Sequence, residues 1–515
     1  MTTRLLRGGV VFDGTSPEPA QLDVLITNDS IVEVGRNIPT HSASVIEDIE
    51  GLWLVPGFID PHSHADAAVL TGETMGLRMK SGVTSEIVGQ DGYGLAHMNE
   101  QSKEALKKLV SPLAGDIQNL DFADAKGYLE AVDAGAFSRV GMLSPHGAIR
   151  ASVLGLEPRS ANSLEIAKMA EAFQADIEHG ALGLSTALSY TPMTYSSQSE
   201  LSSILLAAQK NRRLITHLRD YGRDFGSAIQ EVIAVAQRSQ SHLHFSHFHV
   251  SGDNREGMAQ EYLDLLDDFE GTISMDSYPY VTSCTSLTAI LPDYVKSLSF
   301  KELITHLHEQ RASFARDLEK LGPQGTIAIG WSKLILKGLT KRHKDWNSRT
   351  ISEIAKSNSL SEAEVVIESI VNEEQSPMIL VPQGHESNVK VCASSDLQVV
   401  GSDGIFGSGA PHPRISESFT RFLALANSGE IEMSVSDAVK KMTSRTAQIF
   451  GLKLGEIKPG FPADIVIINP QELEIGSDFH FGESNPIRET LISGVRVVSD
   501  GSWTGKKIEG LSIRG

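Results

Sequence analysis

Apolar and polar positions alternate in short runs over the first 50 or so residues, and turn residues break them up. Leu5 and Leu6 lead into Gly8 and Gly9, a run at 10–12 meets the Asp13-Gly14 turn, and further runs occupy 22–27, 30–34 and 45–49. This texture predicts antiparallel strands with hairpin connections. It returns near the end of the chain, with runs at 465–468, 489–492 and 496–498 and turns at Pro459-Gly460 and Ser493-Gly494. Two β-rich ends around a different middle predict one small β-sandwich domain assembled from both termini, 1–54 and 451–515.

The middle has another rhythm. Apolar runs at 57–60, 85–88, 140–144, 183–186, 214–217, 243–247, 272–276 and 399–403 alternate with helical periodicity, clearest at 164–177, 201–211, 228–238 and 435–450. Repeated strand–helix units imply parallel strands with crossover helices. Eight such strands predict an α/β fold, a closed TIM-like (β/α)8 barrel over residues 55–450, in preference to an open sheet. The mostly helical, charged stretch at about 287–374 falls between the seventh and eighth strands. It reads as an insertion at the barrel mouth, serving as a lid or as an interface.

Composition narrows the function classes. With 515 residues, 40% hydrophobic and 21% charged, the chain is an ordinary globular protein, not a disordered or collagenous one. The 65 acidic against 45 basic side chains leave a net charge of −20. That field repels phosphate backbones and anionic lipid, so neither nucleic acid nor a membrane surface is an expected partner. Only Cys284 and Cys392 occur, which excludes a disulfide framework and zinc-finger spacing. No apolar run approaches the ~20 residues of a membrane span, and the opening MTTRLLRGGVVFDG lacks a signal core. A cytoplasmic enzyme acting on a small molecule is the expectation, with a homo-oligomer left open.

The chemistry gathers at strand ends. In Val55-Pro-Gly-Phe-Ile-Asp-Pro-His-Ser-His-Ala-Asp66, period two places Phe58, Asp60, His62 and His64 on one strand face. Two histidines at i, i+2 can hold one ion from a single backbone. His217 closes the fifth run, and His247 stands in register with Leu243 and Phe245 in the sixth. Four histidines crowd residues 242–249, so His242, His244 and His249 are surface, supporting or substrate-facing residues. Asp403 ends the eighth run, in register with Val399 and Gly401. Since barrel active sites collect at the C-terminal ends of strands, these four histidines and one aspartate point to a metal site with a carboxylate base.

PGFIDPHSH, THLRDYG, HFSHFH, DSYPY and GSDG occur in the order seen in the amidohydrolase superfamily, and the chain resembles its D-aminoacylase (N-acyl-D-amino-acid deacylase) branch. GALGLSTALSYTP, HPRISESFTRFL and KMTSRTAQIFGL with KPGFPADIVI extend the likeness over essentially the whole chain. The resemblance implies that His62 and His64 bind one zinc ion, that His217 and His247 bind another, and that Asp403 is both a ligand and the general acid/base. It further implies a ligand in a turn after strand two, where Gly89-Gln-Asp-Gly92 puts Asp91 in place of the family's cysteine. Strand four carries no lysine, so the carboxylated-lysine bridge of other branches has no counterpart.

Tyr190, Tyr280 and Arg414 lie in segments similar to the family's substrate-facing loops, where an arginine fork and a tyrosine hydroxyl suit a carboxylate. Packing roles for Tyr278 and Tyr280, and a surface or ion-paired Arg414, are the alternative. His249 stands where relatives often have a lysine, and His146 and Arg150 are further candidates for the mouth. The expected reaction is deacylation of an N-acyl-D-amino acid by an enzyme with one or two Zn2+ ions. A dihydroorotase- or hydantoinase-like cyclic-amide hydrolase and a non-catalytic metal-binding scaffold are the competing readings.

Overall fold

The computed structural model describes every residue except 1–2, 223, 268, 297, 299, 324–328, 408–410 and 483–484. Eight parallel strands follow one another along the chain: β1 (Phe58–Asp60), β2 (Val83–Val88), β3 (Arg139–Met142), β4 (Leu184–Ala187), β5 (Arg213–His217), β6 (His242–Phe245), β7 (Ile273–Ser277) and β8 (Gln398–Val400). Each pairs with its sequence neighbours, and β3 reaches β4 through the short continuation Ser144–Pro145. Beyond the ends of β8 and β1, Ser63 and Gly404 form a parallel bridge, and Asp403 N donates to His62 O at 2.9 Å. That junction lies among the candidate site residues.

Both faces of these strands are covered, as is usual for parallel strands, and most of the covered positions are apolar. Leu184, Leu214, Leu243, Phe245 and Met275 pack toward the helices, against Ile204, Phe225, Ile229 and Val232. On the opposite face Ile87, Leu143, Leu182, Ile215 and Val399 meet Ile449 and Phe450. Each such burial contributes about 1.5–3 kcal/mol. Helix starts are set locally. Asn162 and Glu165 form a reciprocal capping box on the helix Ser163–Glu178, satisfying amide groups that would otherwise lack partners.

Strands from the two ends of the chain share one nine-stranded sheet. Trp53–Pro56 lies between Thr3–Val11 and Ile465–Ile468, and Val45–Asp48 branches from the path to pair with Thr3–Val11. The last residues depart from the expected division at 451. Ser512–Ile513 pairs in parallel with β3, Ile508 N bonds to Ala136 O, and Gly515 N bonds to Gly180 O. Burial of Leu511 and the 2.7 Å Arg514–Asp133 ion pair hold this tail against the parallel strands instead.

The segment between β7 and β8 also carries strands, one of which, Ile335–Lys337, lies within 287–374. Thr282–Ser286, Ile335–Lys337 and Met378–Pro382 form a three-stranded antiparallel sheet. Helices over Phe300–Glu309, Arg311–Leu321, Ile351–Asn358 and Glu362–Val371 back it, around Leu307, Phe314, Leu318, Ile354, Val366 and Ile379. Among the described residues no helix is long and apolar enough to cross a membrane.

Candidate metal centre and active site

His62, His64, Asp91, His217, His247 and Asp403 converge beyond the C-terminal ends of β1, β2, β5, β6 and β8, and all six are buried. Several arrive by turns and not by strand alternation. Phe58 stacks on Phe419 of the helix Arg414–Ser428, and Asp60 pairs with Arg78 of the helix Met75–Lys80. The shared face predicted for Phe58, Asp60, His62 and His64 is therefore wrong, because β1 ends at Asp60 and Pro61 redirects the chain. Leu243 and Phe245 likewise face the helices. His247 reaches the centre because its backbone turns to φ 34°. Asp91 and Asp403 also take positive φ, 56° and 48°. Such conformations are uncommon for residues other than glycine and concentrate at functional sites.

Asp403 Oδ1 lies 3.4 Å from His64 Nε2 and 3.8 Å from His62 Nε2. Asp91 lies 3.8 Å from His62 Nε2 and from His64 Nε2, and 3.9 Å from His217 Nδ1 and His247 Nε2. Two donor groups result, His62–His64–Asp403 and His62–Asp91–His247, which share His62. Within this cluster His62 Nε2 and Asp91 Oδ1 are buried without a hydrogen-bond partner. Imidazole nitrogens and carboxylates that face one another in this way fit a divalent cation. Ser189 Oγ, 2.8 Å from His217 Nε2, leaves His217 Nδ1 turned toward Asp91 and 2.9 Å from His247 Nε2.

Burial alone would raise the carboxylates. In Asp403 it is outweighed by Arg414, whose Nη2 lies 2.9 Å from Oδ2, so the acid stays well below the usual carboxylate range. Burial is outweighed at Asp91 too, by His247, His62 and His217. Burial opposes charge on His62, but Asp276, Asp91 and Asp403 push its pKa up to about 10. For His217, burial and its neighbour His247 bring the pKa down to about 3.

Residues 53–497 match the model of the amidohydrolase family. The chain belongs to this family. The D-aminoacylase of Alcaligenes xylosoxydans xylosoxydans is 26% identical over 98% of this chain and 96% of its own length. The N-acyl-D-aspartate deacylase of the same organism is also 26% identical, over 98% and 94%. A D-aminoacylase crystal structure superposes with a TM-score of 0.80 at 26% identity, covering 98% of each chain. An N-acyl-D-glutamate deacylase from Bordetella bronchiseptica, complexed with zinc and a phosphonate inhibitor, superposes with a TM-score of 0.82 at 24% identity, covering 99% of each.

The other residues singled out in this amidohydrolase divide into two groups. Arg414 lies beside Asp403, its guanidinium 4.7 Å from the Tyr278 ring, with Nε and Nη1 buried and unpartnered. Tyr190 lies tilted beside His217 at 4.7 Å, and His249 packs on Tyr278 at 4.2 Å with Nε2 unpartnered. Tyr280 lies farther along, under Arg421 at 4.4 Å and against His412 at 5.1 Å, with its hydroxyl buried and unpartnered. His146 and Arg150 do not reach the mouth. Both bond to Glu200 Oε1, at 3.1 and 3.0 Å, and His146 also bonds to Thr186.

Asp276 was not among the predicted site residues, although it is buried in contact with His62, His244 and the His247 amide. Its signal lay in β7, where Ile273 and Met275 pack toward the helices and leave Ser274 and Asp276 for the other face. Beneath the site, Asp60 accepts from the backbone amides of His62 and Ser402 at 3.0 Å, tying the turns that carry His62 and Asp403 together.

Proposed function

We propose that this chain is a zinc-dependent hydrolase of N-acyl-D-amino acids, releasing a D-amino acid and a carboxylate. The observation that carries the reading is a buried set of imidazole and carboxylate donors in which one acid, Asp403, adjoins a guanidinium whose Nε and Nη1 have no partner. Relatives that match over nearly their whole length and are named D-aminoacylase and N-acyl-D-aspartate deacylase support the substrate class. Eight parallel strands in sequence order, linked last to first, support a (β/α)8 barrel as the scaffold, with the small β-sandwich built from both termini. Two buried free cysteines support a cytoplasmic setting.

His62, His64, Asp91, His217, His247 and Asp403 would hold one or two ions, His62 being common to both donor groups. When bound, such an ion acts as a Lewis acid toward a carbonyl and lowers the pKa of water. Asp403, held ionised by Arg414, accepts the proton of the attacking water and returns it to the departing amine nitrogen. Arg414 offers Nε and Nη1 to the substrate carboxylate, which replaces two missing hydrogen bonds with charge-assisted ones. Tyr190 and His249 flank that place and keep it from bulk water. Asp91 makes the donor set harder than the family's cysteine would, which favours zinc less exclusively over manganese or cobalt. The cyclic-amide reading loses ground because β4 reads Leu184-Ser-Thr-Ala187, without a lysine.

The test is amine release by zinc-loaded protein from matched N-acetyl-D- and N-acetyl-L-amino acids, beside dihydroorotate and simple hydantoins. Turnover confined to the D-compounds is expected. Cleavage of the cyclic amides alone, or of no compound, would overturn the reading.

A further inference from the structure

His242, His244, Ser274 and Asp276 take no part in the chemistry above, yet they are joined to it. His242 and His244 on β6 alternate with Leu243 and Phe245, so they share the face turned away from the helices. Ser274 stands opposite His244 in the ladder with β7. The resulting file is continuous. His242 Nε2 lies 2.8 Å from Ser274 Oγ, and His244 Nδ1 lies 2.7 Å from the same oxygen. His244 Nε2 is 3.0 Å from Asp276 Oδ2, and His62 Nδ1 is 3.3 Å from it. Ser274, His244, Asp276 and His62 are buried, so water does not compete for these bonds, whereas His242 at the far end is partly exposed.

Donor counting fixes the direction of each bond when the imidazoles are neutral. A hydroxyl has one proton, so Ser274 can donate to at most one of the two histidines. If His244 donated to Ser274 from Nδ1, its bare Nε2 would face the carboxylate, lone pair against lone pair. The consistent arrangement has His242 Nε2–H donating to Ser274, Ser274 donating to His244 Nδ1, and His244 Nε2–H donating to Asp276. His62 Nδ1–H then donates to Asp276 as well, leaving its lone pair on Nε2, the buried atom without a partner. Asp276 Oδ1 meanwhile accepts from His247 N at 3.0 Å, so one carboxylate fixes two of the six convergent side chains. Gly401 makes room for it, since a Cβ there would lie 2.6 Å from Oδ1.

We propose that Ser274, His244 and Asp276 are positioning residues that hold His62 in the tautomer able to bind metal through Nε2. The proposal rests on the metal-centre reading above. Metal-ligating histidines generally need such a partner on the other ring nitrogen, and its loss weakens metal binding about 10–100-fold.

The full-length chain and its Asp276→Asn, His244→Phe, His244→Gln and Ser274→Ala variants would be stripped by chelator. Zinc affinity would then be measured by dye competition, the cobalt absorption spectrum on titration, and Tm before metal addition. Asp276→Asn and His244→Phe should lose about 10–100-fold in affinity and shift the cobalt bands. His244→Gln, which restores an N–H toward Asp276, should recover most of that loss, and Ser274→Ala should show a smaller one. The metal-free Tm of His244→Gln and Ser274→Ala should stay near wild type. If Asp276→Asn does not fold, the comparison of His244→Phe with His244→Gln decides. Wild-type affinity and spectrum in His244→Phe, or equal losses in both His244 variants, would overturn the proposal. A wild-type chain that binds neither metal would overturn the metal-centre reading itself.

Discussion

Asp403 and Arg414 touch, and each sets what the other can do. The guanidinium keeps the acid ionised, as the proposed role of proton acceptor requires, while its own Nε and Nη1 have no partner. In the proposed mechanism Asp403→Asn would remove the proton carrier but keep an oxygen donor. The expected result is a fall in kcat of at least about 10²–10⁴-fold, with metal retained by elemental analysis at half or more of the wild-type content. Arg414→Lys keeps a charge beside Asp403 but loses the planar fork. KM for an acyl amino acid should then rise about 10–100-fold, the equivalent of losing hydrogen bonds to a charged group. Steady-state kinetics should show a smaller change in kcat.

At the scale of elements, the cluster of His146, Arg150 and Glu200 joins the helix His146–Leu154 to the helix Gln198–Ala207 behind β4. Burial alone would raise Glu200, but His146 and Arg150 outweigh it and bring its pKa down to about 2. A carboxyl whose folded pKa is depressed stabilises the fold fully above its unfolded pKa, near 4.3, and the contribution fades as pH falls toward the folded value. Glu200→Gln should therefore cost about 3 kcal/mol near neutral pH, where it leaves Arg150 buried without a counter-charge. Denaturation of both proteins from pH 7 down to pH 3 should show the difference shrinking. A pH-independent difference would contradict the ion-pair account.

Elements also explain which parts of the site were legible in the sequence. Strands and their order follow from apolar runs separated by helical periodicity, because every parallel strand must bury both faces. His217 follows from the same logic, since it continues the Ile215 face. His62, His64 and His247 were found as residue types at strand ends, but the register offered for them failed. Pro61 and the left-handed turn at His247 lie beyond the pairing that period two describes. Three short strands between β7 and β8 were hidden because they pair over long separations with one another, and nothing local marks them. Asp276 was overlooked because an acid in mid-strand acquires its meaning only from His62, 214 residues away.

On the scale of the whole molecule, Asp91, Asp276 and Asp403 are buried beside four histidines in a chain that already carries a net charge of −20. A divalent cation would offset that concentration of negative charge and, in the proposed centre, would tie turns after β1, β2, β6 and β8 to β5. Metal bound only by the folded state, at about 100 times its Kd, contributes about 2.7 kcal/mol. Chelator treatment should lower Tm, and zinc should restore it. A Tm indifferent to both would place the donors outside any metal centre.

The central claim, that these donors and Asp403 form a metal-dependent deacylase, is tested most directly by titrating zinc into chelator-stripped protein while following hydrolysis of N-acetyl-D-methionine. Activity should rise from background and saturate at one or two equivalents per chain, with N-acetyl-L-methionine inert throughout. Undiminished turnover in the stripped protein, or none at any loading of zinc, manganese or cobalt, would contradict it.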